Sequence, residues 1–199
     1  MRYLSANYLY PLHVPPIKEG VLQISDKGKI INIFNSRDEV PKSSIEIYNG
    51  IICPGFINAH CHLELSHMYK KIKSNTGLTE FISKVSHKRL DDQEIILSSI
   101  KKADKMMKKN GIVGVGDISN TSNSFLTKNE SDILYHTFIE IFSINPDEAN
   151  TVLNEGLKMI ESCPKPNSLV PHATYSVSEK LFLLLKKHNN GEVICIHNQ

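Results

Sequence analysis

Residues 54–64, which read PGFINAHCHLE, constrain the fold of this chain more than any other stretch. Short apolar segments precede them and polar, glycine-containing sequence follows, a pattern that predicts a buried strand ending in a loop. His60 and His62 are spaced i, i+2, so on an extended backbone both imidazoles point to the same face. Because neutral imidazole is a favoured zinc ligand, the pair predicts a metal site at the end of a strand over residues 51–58. The alternative is a pair of histidines in a surface loop.

Composition and charge narrow the class of protein. The 199 residues are 40% apolar with well-mixed charge, which indicates a globular chain with one sizeable core, alone or with a small lobe. The formal net charge of +2 and the absence of a concentrated basic face give no indication of a nucleic-acid or membrane partner. No apolar run is long enough for a transmembrane helix, and no signal-peptide core is evident. The four cysteines lack C-x-x-C spacing, so we expect a reducing, cytoplasmic setting.

The order of predicted elements divides the chain in two. Residues 1–50 have the pattern of a small β lobe, with a hairpin around the turn at residues 26–28. From residue 51 onward, strand and helix patterns alternate. The predicted strands cover residues 51–58, 112–118, 135–142, 168–173 and 191–197, and the predicted helices cover residues 78–89, 92–109, 146–161 and 178–188. Such alternation indicates an α/β fold of parallel βαβ units.

A (β/α)8 barrel and a doubly wound sheet can both begin with these units. The chain contains neither the glycine-rich dinucleotide motif nor a P-loop, which weakens the nucleotide-binding alternatives. A complete barrel needs about 250 residues. Residues 51–199 therefore match the first five βα units of a barrel, and we expect a barrel cut just after its fifth strand.

Histidines follow three of the predicted strands. His60 and His62 end the first, His172 lies near the end of the fourth, and His197 ends the fifth. Active sites of barrels lie at the carboxyl ends of the strands. We therefore expect these four side chains to lie on one rim, whereas His136 is expected to be structural and His13, His87 and His188 to be surface residues.

The stretch PGFINAHCH resembles the first-strand signature of the amidohydrolase superfamily, whose members are metal-dependent hydrolases and deaminases. This resemblance implies the N-terminal part of a (β/α)8 TIM-like barrel preceded by a small β-sandwich lobe. It also implies that His60, His62 and His197 bind the metal. The fourth strand lacks the lysine of binuclear members, so one divalent metal is expected, with zinc preferred and iron or manganese as alternatives.

The sequence PHATYS around His172 is similar to that of the deaminase and chlorohydrolase subgroup, which includes aminodeoxyfutalosine, adenosylhomocysteine and guanine deaminases. The resemblance implies that His172 contacts the substrate. Glu64 and Tyr175 are further substrate-binding candidates, and a solvated loop carboxylate is the alternative for Glu64. The proton-shuttling glutamate of this subgroup is expected just past Gln199. No catalytic residue is therefore assigned within the chain, and we expect the 199-residue chain alone to be inactive.

The implied function is hydrolysis of a carbon–nitrogen bond other than a peptide bond. We expect deamination of an aminated heterocycle, purine-like or nucleoside-like, by a metal-activated water. The expected partners are this small molecule and a second copy of the chain in a homodimer. The alternatives are dechlorination or cyclic-amide hydrolysis on the same scaffold, and a non-catalytic metal-binding half-barrel.

Overall fold

The computed structural model describes residues 1–189 and 191–198, with the side chains of all of these except Leu78 and Ser86. The last residue of the predicted fifth-strand motif, Gln199, lies outside the described residues. The chain divides into two compact units, Met1–Gly55 and Phe56–Gln199. Within the described ranges, no helix combines the length and the apolar character needed to cross a bilayer.

The first unit is built from short strands in two small sheets. Its strands are β1 Arg2–Ser5, β2 Tyr8–Leu9, β3 Ile17–Lys18, β4 Val21–Ile24, β5 Ile30–Phe34, β6 Ile45–Ile47 and β7 Ile51–Ile52. One sheet has the order β5-β4-β1-β6 and the other β3-β2-β7. The antiparallel pair of β4 and β5 is the predicted hairpin, and its turn contains Gly28 at a φ of 76°, a value that glycine adopts readily.

The second unit alternates strands and helices, which confirms the predicted α/β class. Its strands are β8 Phe56–Cys61, β9 Ile112–Ser119, β10 Leu134–Ile141 and β11 Asn167–Pro171. Its helices are α1 Leu78–Lys88, α2 Gln93–Lys109, α3 Phe125–Glu130, α4 Ala149–Ser162 and α5 Glu179–His188, with 3-10 turns at Leu63–Met68 and Pro146–Glu148. All strand pairs of the sheet β11-β10-β9-β8 are parallel. The carboxyl ends of the four strands therefore lie along one edge of the sheet.

The predicted first strand over residues 51–58 is wrong, because the structure divides it between the two units. Ile51–Ile52 forms β7 and pairs with β2, whereas β8 begins at Phe56. Pro54 lies in the interruption and has no N–H to donate to a ladder. His60 consequently lies inside β8, and His62 follows the strand directly.

The predicted fifth strand is also wrong as a regular strand. Its residues form a single isolated bridge, between His197 and Ala173. At Val193 the contact with β11 is made by a side chain and not by a backbone ladder, since the Ser168 hydroxyl donates to the Val193 carbonyl at 2.8 Å. Pro171, at the end of β11, has no N–H with which to extend regular pairing at this edge.

Helix α2 forms over the predicted range, but only part of its apolar face is buried, since Ile95 and Met106 are 46% and 50% exposed. Asp92 caps it by accepting from the Glu94 N–H at 2.8 Å, and Gly111 follows its end at a φ of 81°. Ile96 and Ile100 on α2 are buried in one cluster with Leu63, the residue after His62. A second cluster joins α4 and α5 to β10 and β11. Helix α3 was not predicted from the sequence.

Gly116 sets the distance between β8 and β9. A Cβ at this position would lie 2.6 Å from the carbonyl oxygen of Ala59, which is backbone and cannot rotate away. We expect Gly116→Ala to lower the free energy of unfolding by about 1–3 kcal/mol. The measurement is urea denaturation followed by circular dichroism.

Gly114→Ala on the same strand is the matched control. Its Cβ would meet Ile57 Cδ1 at 2.8 Å, the far end of a side chain that is 68% exposed and can move. We expect a change below about 1 kcal/mol in either direction. Equal losses in the two variants would show that the contact with Ala59 has no special effect.

Candidate active site

The structure brings His60, His62 and His197 together at the carboxyl edge of the parallel sheet. One potential ligand atom from each lies within 4.8 Å of the others. The ring centroids of His60 and His62 are 5.1 Å apart, and those of His60 and His197 are 4.9 Å apart. His197 is distant in sequence from the other two histidines. A backbone hydrogen bond holds it here, because its N–H donates to the His172 carbonyl at 2.8 Å.

The chemistry of these three side chains fits a divalent metal ion. Burial lowers the pKa of His62 to about 4, with further lowering by the charges of His60 and His197, so its imidazole is the neutral form that binds metals. The buried Nε2 atom of His197 has no hydrogen-bond partner among the described residues. The Glu140 Oε1 atom lies 3.3 Å from this nitrogen without forming a hydrogen bond to it. The three imidazoles together have the donor set of a three-histidine zinc site.

Glu140 is a carboxylate of this site that sequence reasoning missed. It is 6% exposed near the end of β10, and its Oε1 lies 3.3 Å from His197 Nε2. Its Oε2 accepts from the Asn120 side-chain amide at 3.1 Å. Glu140, His172 and His197 form a second group with potential ligand atoms within 4.8 Å. The sequence signal for this residue was an acidic side chain within the otherwise apolar end of a strand. If such a side chain is buried, its charge is costly unless it has partners, which would have pointed to a site.

His172 and Tyr175 border the same group of histidines. The His172 ring centroid is 4.9 Å from that of His197, and its Nδ1 lies 2.7 Å from the Ser176 hydroxyl. Tyr175 is 59% exposed and meets the His172 ring edge-on, with centroids 6.1 Å apart. An imidazole held by a hydroxyl and an exposed aromatic ring are both able to contact a flat heterocycle.

Glu64 is not the solvated loop carboxylate that the sequence left open. It is 3% exposed, and its Oε2 accepts from the N–H and the hydroxyl of Thr121 and from the Asn120 N–H at 2.7–3.1 Å. Its Oε1 lies 3.3 Å from an Arg89 nitrogen. Burial raises its pKa above the ordinary value, opposed by these bonds to Thr121, Arg89 and Asn120. Glu64 thus ties the turn after His62 to the loop after β9.

The other histidines lie apart from the metal group. His136 Nε2 lies 3.0 Å from the Ser168 hydroxyl, which agrees with a structural role. His67 is buried, and its Nε2 lies 3.3 Å from the Lys88 carbonyl. His13, His87 and His188 are exposed, as predicted. Between His60 and His62, Cys61 packs on the cluster around Leu63, and burial raises its pKa to about 12.

No family model matches this sequence, and no curated protein matches it. Solved structures do. The Helicobacter pylori aminofutalosine deaminase in complex with methylthio-coformycin has a TM-score of 0.77 at 19% identity, over 99% of this chain and 50% of that chain. An adenosine deaminase from Xanthomonas campestris with bound zinc gives 0.73 and 14%, over 98% and 48%. A zinc complex of atrazine chlorohydrolase from Arthrobacter aurescens gives 0.66 and 14%, over 94% and 50%.

The chain shares their fold. The three are two deaminases and a chlorohydrolase, and the likeness supports the resemblance of the first-strand motif at the level of the fold. The chain spans about half the length of each solved structure that it matches. Its parallel sheet corresponds to the N-terminal half of their barrels.

Removing the Glu64 carboxylate should destabilise the protein rather than only affect binding. We expect Glu64→Ala to lower the free energy of unfolding by about 1–3 kcal/mol, because the partly buried donors of Thr121 and Asn120 lose their acceptor. Urea denaturation measures the loss. Glu80→Ala is the control, since its ion pair with Lys84 is on the surface and should contribute less than about 1 kcal/mol. An unfolding free energy unchanged by Glu64→Ala would contradict a structural role.

Proposed function

We propose that this chain carries the metal-binding half of a hydrolase that deaminates an aminated heterocycle, purine-like or nucleoside-like. The observation that supports it is the convergence of three imidazoles, from β8, its following turn and the segment after α5, at one sheet edge. Deaminases among the matching solved structures support the reaction class.

His60, His62 and His197 would hold one divalent ion, for which zinc is proposed from the all-imidazole donor set, with iron or manganese as alternatives. When bound, such an ion supplies a Lewis acid that lowers the pKa of water toward about 7. The protein is further proposed to act as a homodimer in the cytoplasm.

The chain's own residues would bind and orient the heterocycle. His172, held at Nδ1 by the Ser176 hydroxyl, presents Nε2 as its free ring atom for a ring nitrogen or an exocyclic group of the substrate. Tyr175 offers an exposed ring against one side of His172. Glu140 offers an acceptor oxygen, Oε1, beside His172 and His197, while Asn120 holds its Oε2.

A second candidate is hydrolytic removal of chloride. It is favoured by the match to atrazine chlorohydrolase, at a TM-score of 0.66. The two reactions share an attack of water on a heterocyclic carbon and differ in the group that leaves. Ammonia and chloride release from matched aminated and chlorinated heterocycles would distinguish them.

Metal binding tests the proposed centre directly. We expect the unmodified chain to bind one zinc ion, and His60→Ala, His62→Ala and His197→Ala each to weaken binding at least tenfold, because each removes one of three ligands. Competition against a chromophoric chelator measures the affinity. The control is His188→Ala, which removes an exposed histidine on α5 and should leave the affinity unchanged. Equal binding by all four variants would contradict the centre.

His172 is expected to act on the substrate and not on the metal. In the protein as it is naturally expressed, we expect His172→Ala to lower kcat/KM for ammonia release by about 10²–10⁴-fold. Zinc content should stay at the unmodified level. Loss of zinc from this variant would instead favour the group of Glu140, His172 and His197 as the metal site.

A further inference from the structure

The strand that bears the metal histidines is irregular where they occur. In the parallel ladder Asn58 pairs with Val115 and Cys61 with Asp117, so three steps along β8 oppose two along β9. The extra residue is a bulge at residues 59–60, and bulges redirect side chains and disrupt pairing. Regular strand pairing therefore does not by itself hold His60 in place.

Where the backbone ladder between β8 and β9 ends, a side chain of β9 binds the backbone of the adjoining turn. Asp117 Oδ1 accepts the backbone N–H of Leu63 at 2.7 Å. Both residues are buried, at 0% and 1% exposure. The Leu63 amide belongs to the peptide that follows His62 directly, and the Leu63 side chain is fixed in the core with Ile96 and Ile100. The bond therefore fixes the backbone on the carboxyl side of the two histidines.

The other oxygen of this carboxylate is held by a buried lysine. Asp117 Oδ2 lies 2.6 Å from Lys128 Nζ, and both side chains are 0% exposed. The ammonium also donates to the hydroxyls of Ser119 at 2.9 Å and Thr137 at 3.1 Å, which uses all three of its N–H groups. Buried ion pairs often stabilise a fold no more than apolar side chains of similar volume would. Stability alone therefore gives a weak account of this pair.

We propose that Asp117 is a positioning residue for the metal centre and that Lys128 holds the Asp117 carboxylate in the required orientation. The hydrogen bond to Leu63 holds the bulged segment so that His60 and His62 face His197. This inference rests on the proposed metal centre and adds to it two residues that do not touch the metal. Carboxylates that hydrogen-bond to metal-binding histidines commonly raise metal affinity, and Asp117 would act instead on the peptide that follows His62.

Two double variants isolate the hydrogen bond from the charge. Asp117→Asn with Lys128→Met removes the ion pair but keeps an oxygen that accepts the Leu63 N–H. The Ser119 hydroxyl, 3.3 Å from Oδ2, can accept from the introduced amide. Asp117→Ala with Lys128→Met removes the same charges and the acceptor as well. The two proteins therefore differ in the bond to Leu63 and share the same altered environment at position 128.

The readouts are the Zn²⁺ dissociation constant by chelator competition, the Co²⁺ absorption spectrum and the exchange rate of the Leu63 amide by NMR, all on the full chain. We expect the Asp117→Asn pair to keep the unmodified affinity within about threefold. The Asp117→Ala pair should raise the dissociation constant by about 10–100-fold, alter the Co²⁺ bands and expose the Leu63 amide to exchange.

Asp104→Ala is the control for loss of stability alone. Asp104 is a buried carboxylate on α2 that accepts from Tyr135 at 2.7 Å and Ser131 at 2.6 Å, and neither it nor these bonds involve the Leu63 amide or a histidine. We expect it to lower the urea midpoint while leaving the Zn²⁺ affinity and the Co²⁺ bands unchanged.

The outcomes separate the positioning role from the metal centre. Equal Zn²⁺ affinity in the two double variants, with the unmodified chain binding zinc through His60, would overturn the positioning role alone. No zinc binding by the unmodified chain would overturn both proposals. A loss of affinity in Asp104→Ala equal to that of the Asp117→Ala pair would also overturn the positioning role, since any destabilisation would then suffice.

Discussion

Parallel pairing of β8, β9, β10 and β11 is the constraint on which the candidate site depends. Parallel strands place all their carboxyl ends at one edge, so residues distant in the chain meet there without contacts specific to them. Cys195 Sγ lies 3.9 Å from His60 Nδ1 although the two are 135 residues apart. Backbone hydrogen bonds continue the alignment beyond the strands, because His172 N–H donates to the Ile141 carbonyl and His197 N–H donates to the His172 carbonyl.

Buried carboxylates hold the loops at this edge. Glu64, Asp117 and Glu140 are each under 9% exposed, and each accepts hydrogen bonds from a neighbouring strand or its following loop. Asn120 joins two of these residues, because its backbone N–H donates to Glu64 and its side-chain amide to Glu140. A network of hydrogen bonds of this kind favours one arrangement, since another would leave buried carboxylate oxygens unpaired.

Local patterns in the sequence predicted the long helices and the histidine pair, but not every strand. Helix α2 and the spacing of His60 and His62 depend on neighbours in the chain, which the sequence displays. The first predicted strand is divided at Pro54, which cannot donate to a strand ladder. The apolar pattern across residues 51–58 concealed this effect. Helix α3 is only six residues long, too short for a clear apolar period.

The polar residues behind the histidines could not be predicted in the same way. Glu140 and Asp117 lie on strands where an acidic residue suggests a solvent-facing position, yet their partners come from other strands and loops. Lys128 was indistinguishable from the surface lysines until α3 placed it beside Asp117. Their roles depend on contacts between distant residues, which a single sequence does not reveal.

The distribution of the three imidazoles along the chain has a consequence for folding. One comes from β8, one from the turn that follows it and one from the segment after α5, so their convergence requires the intervening elements to be in place. An ion bound by all three would bind the folded chain and not the unfolded one. At a free concentration of 100 times its dissociation constant, it would add about 2.7 kcal/mol to the free energy of unfolding. Ion occupancy would therefore measure the fraction of chains in which β8 and the segment after α5 have come together in the folded sheet.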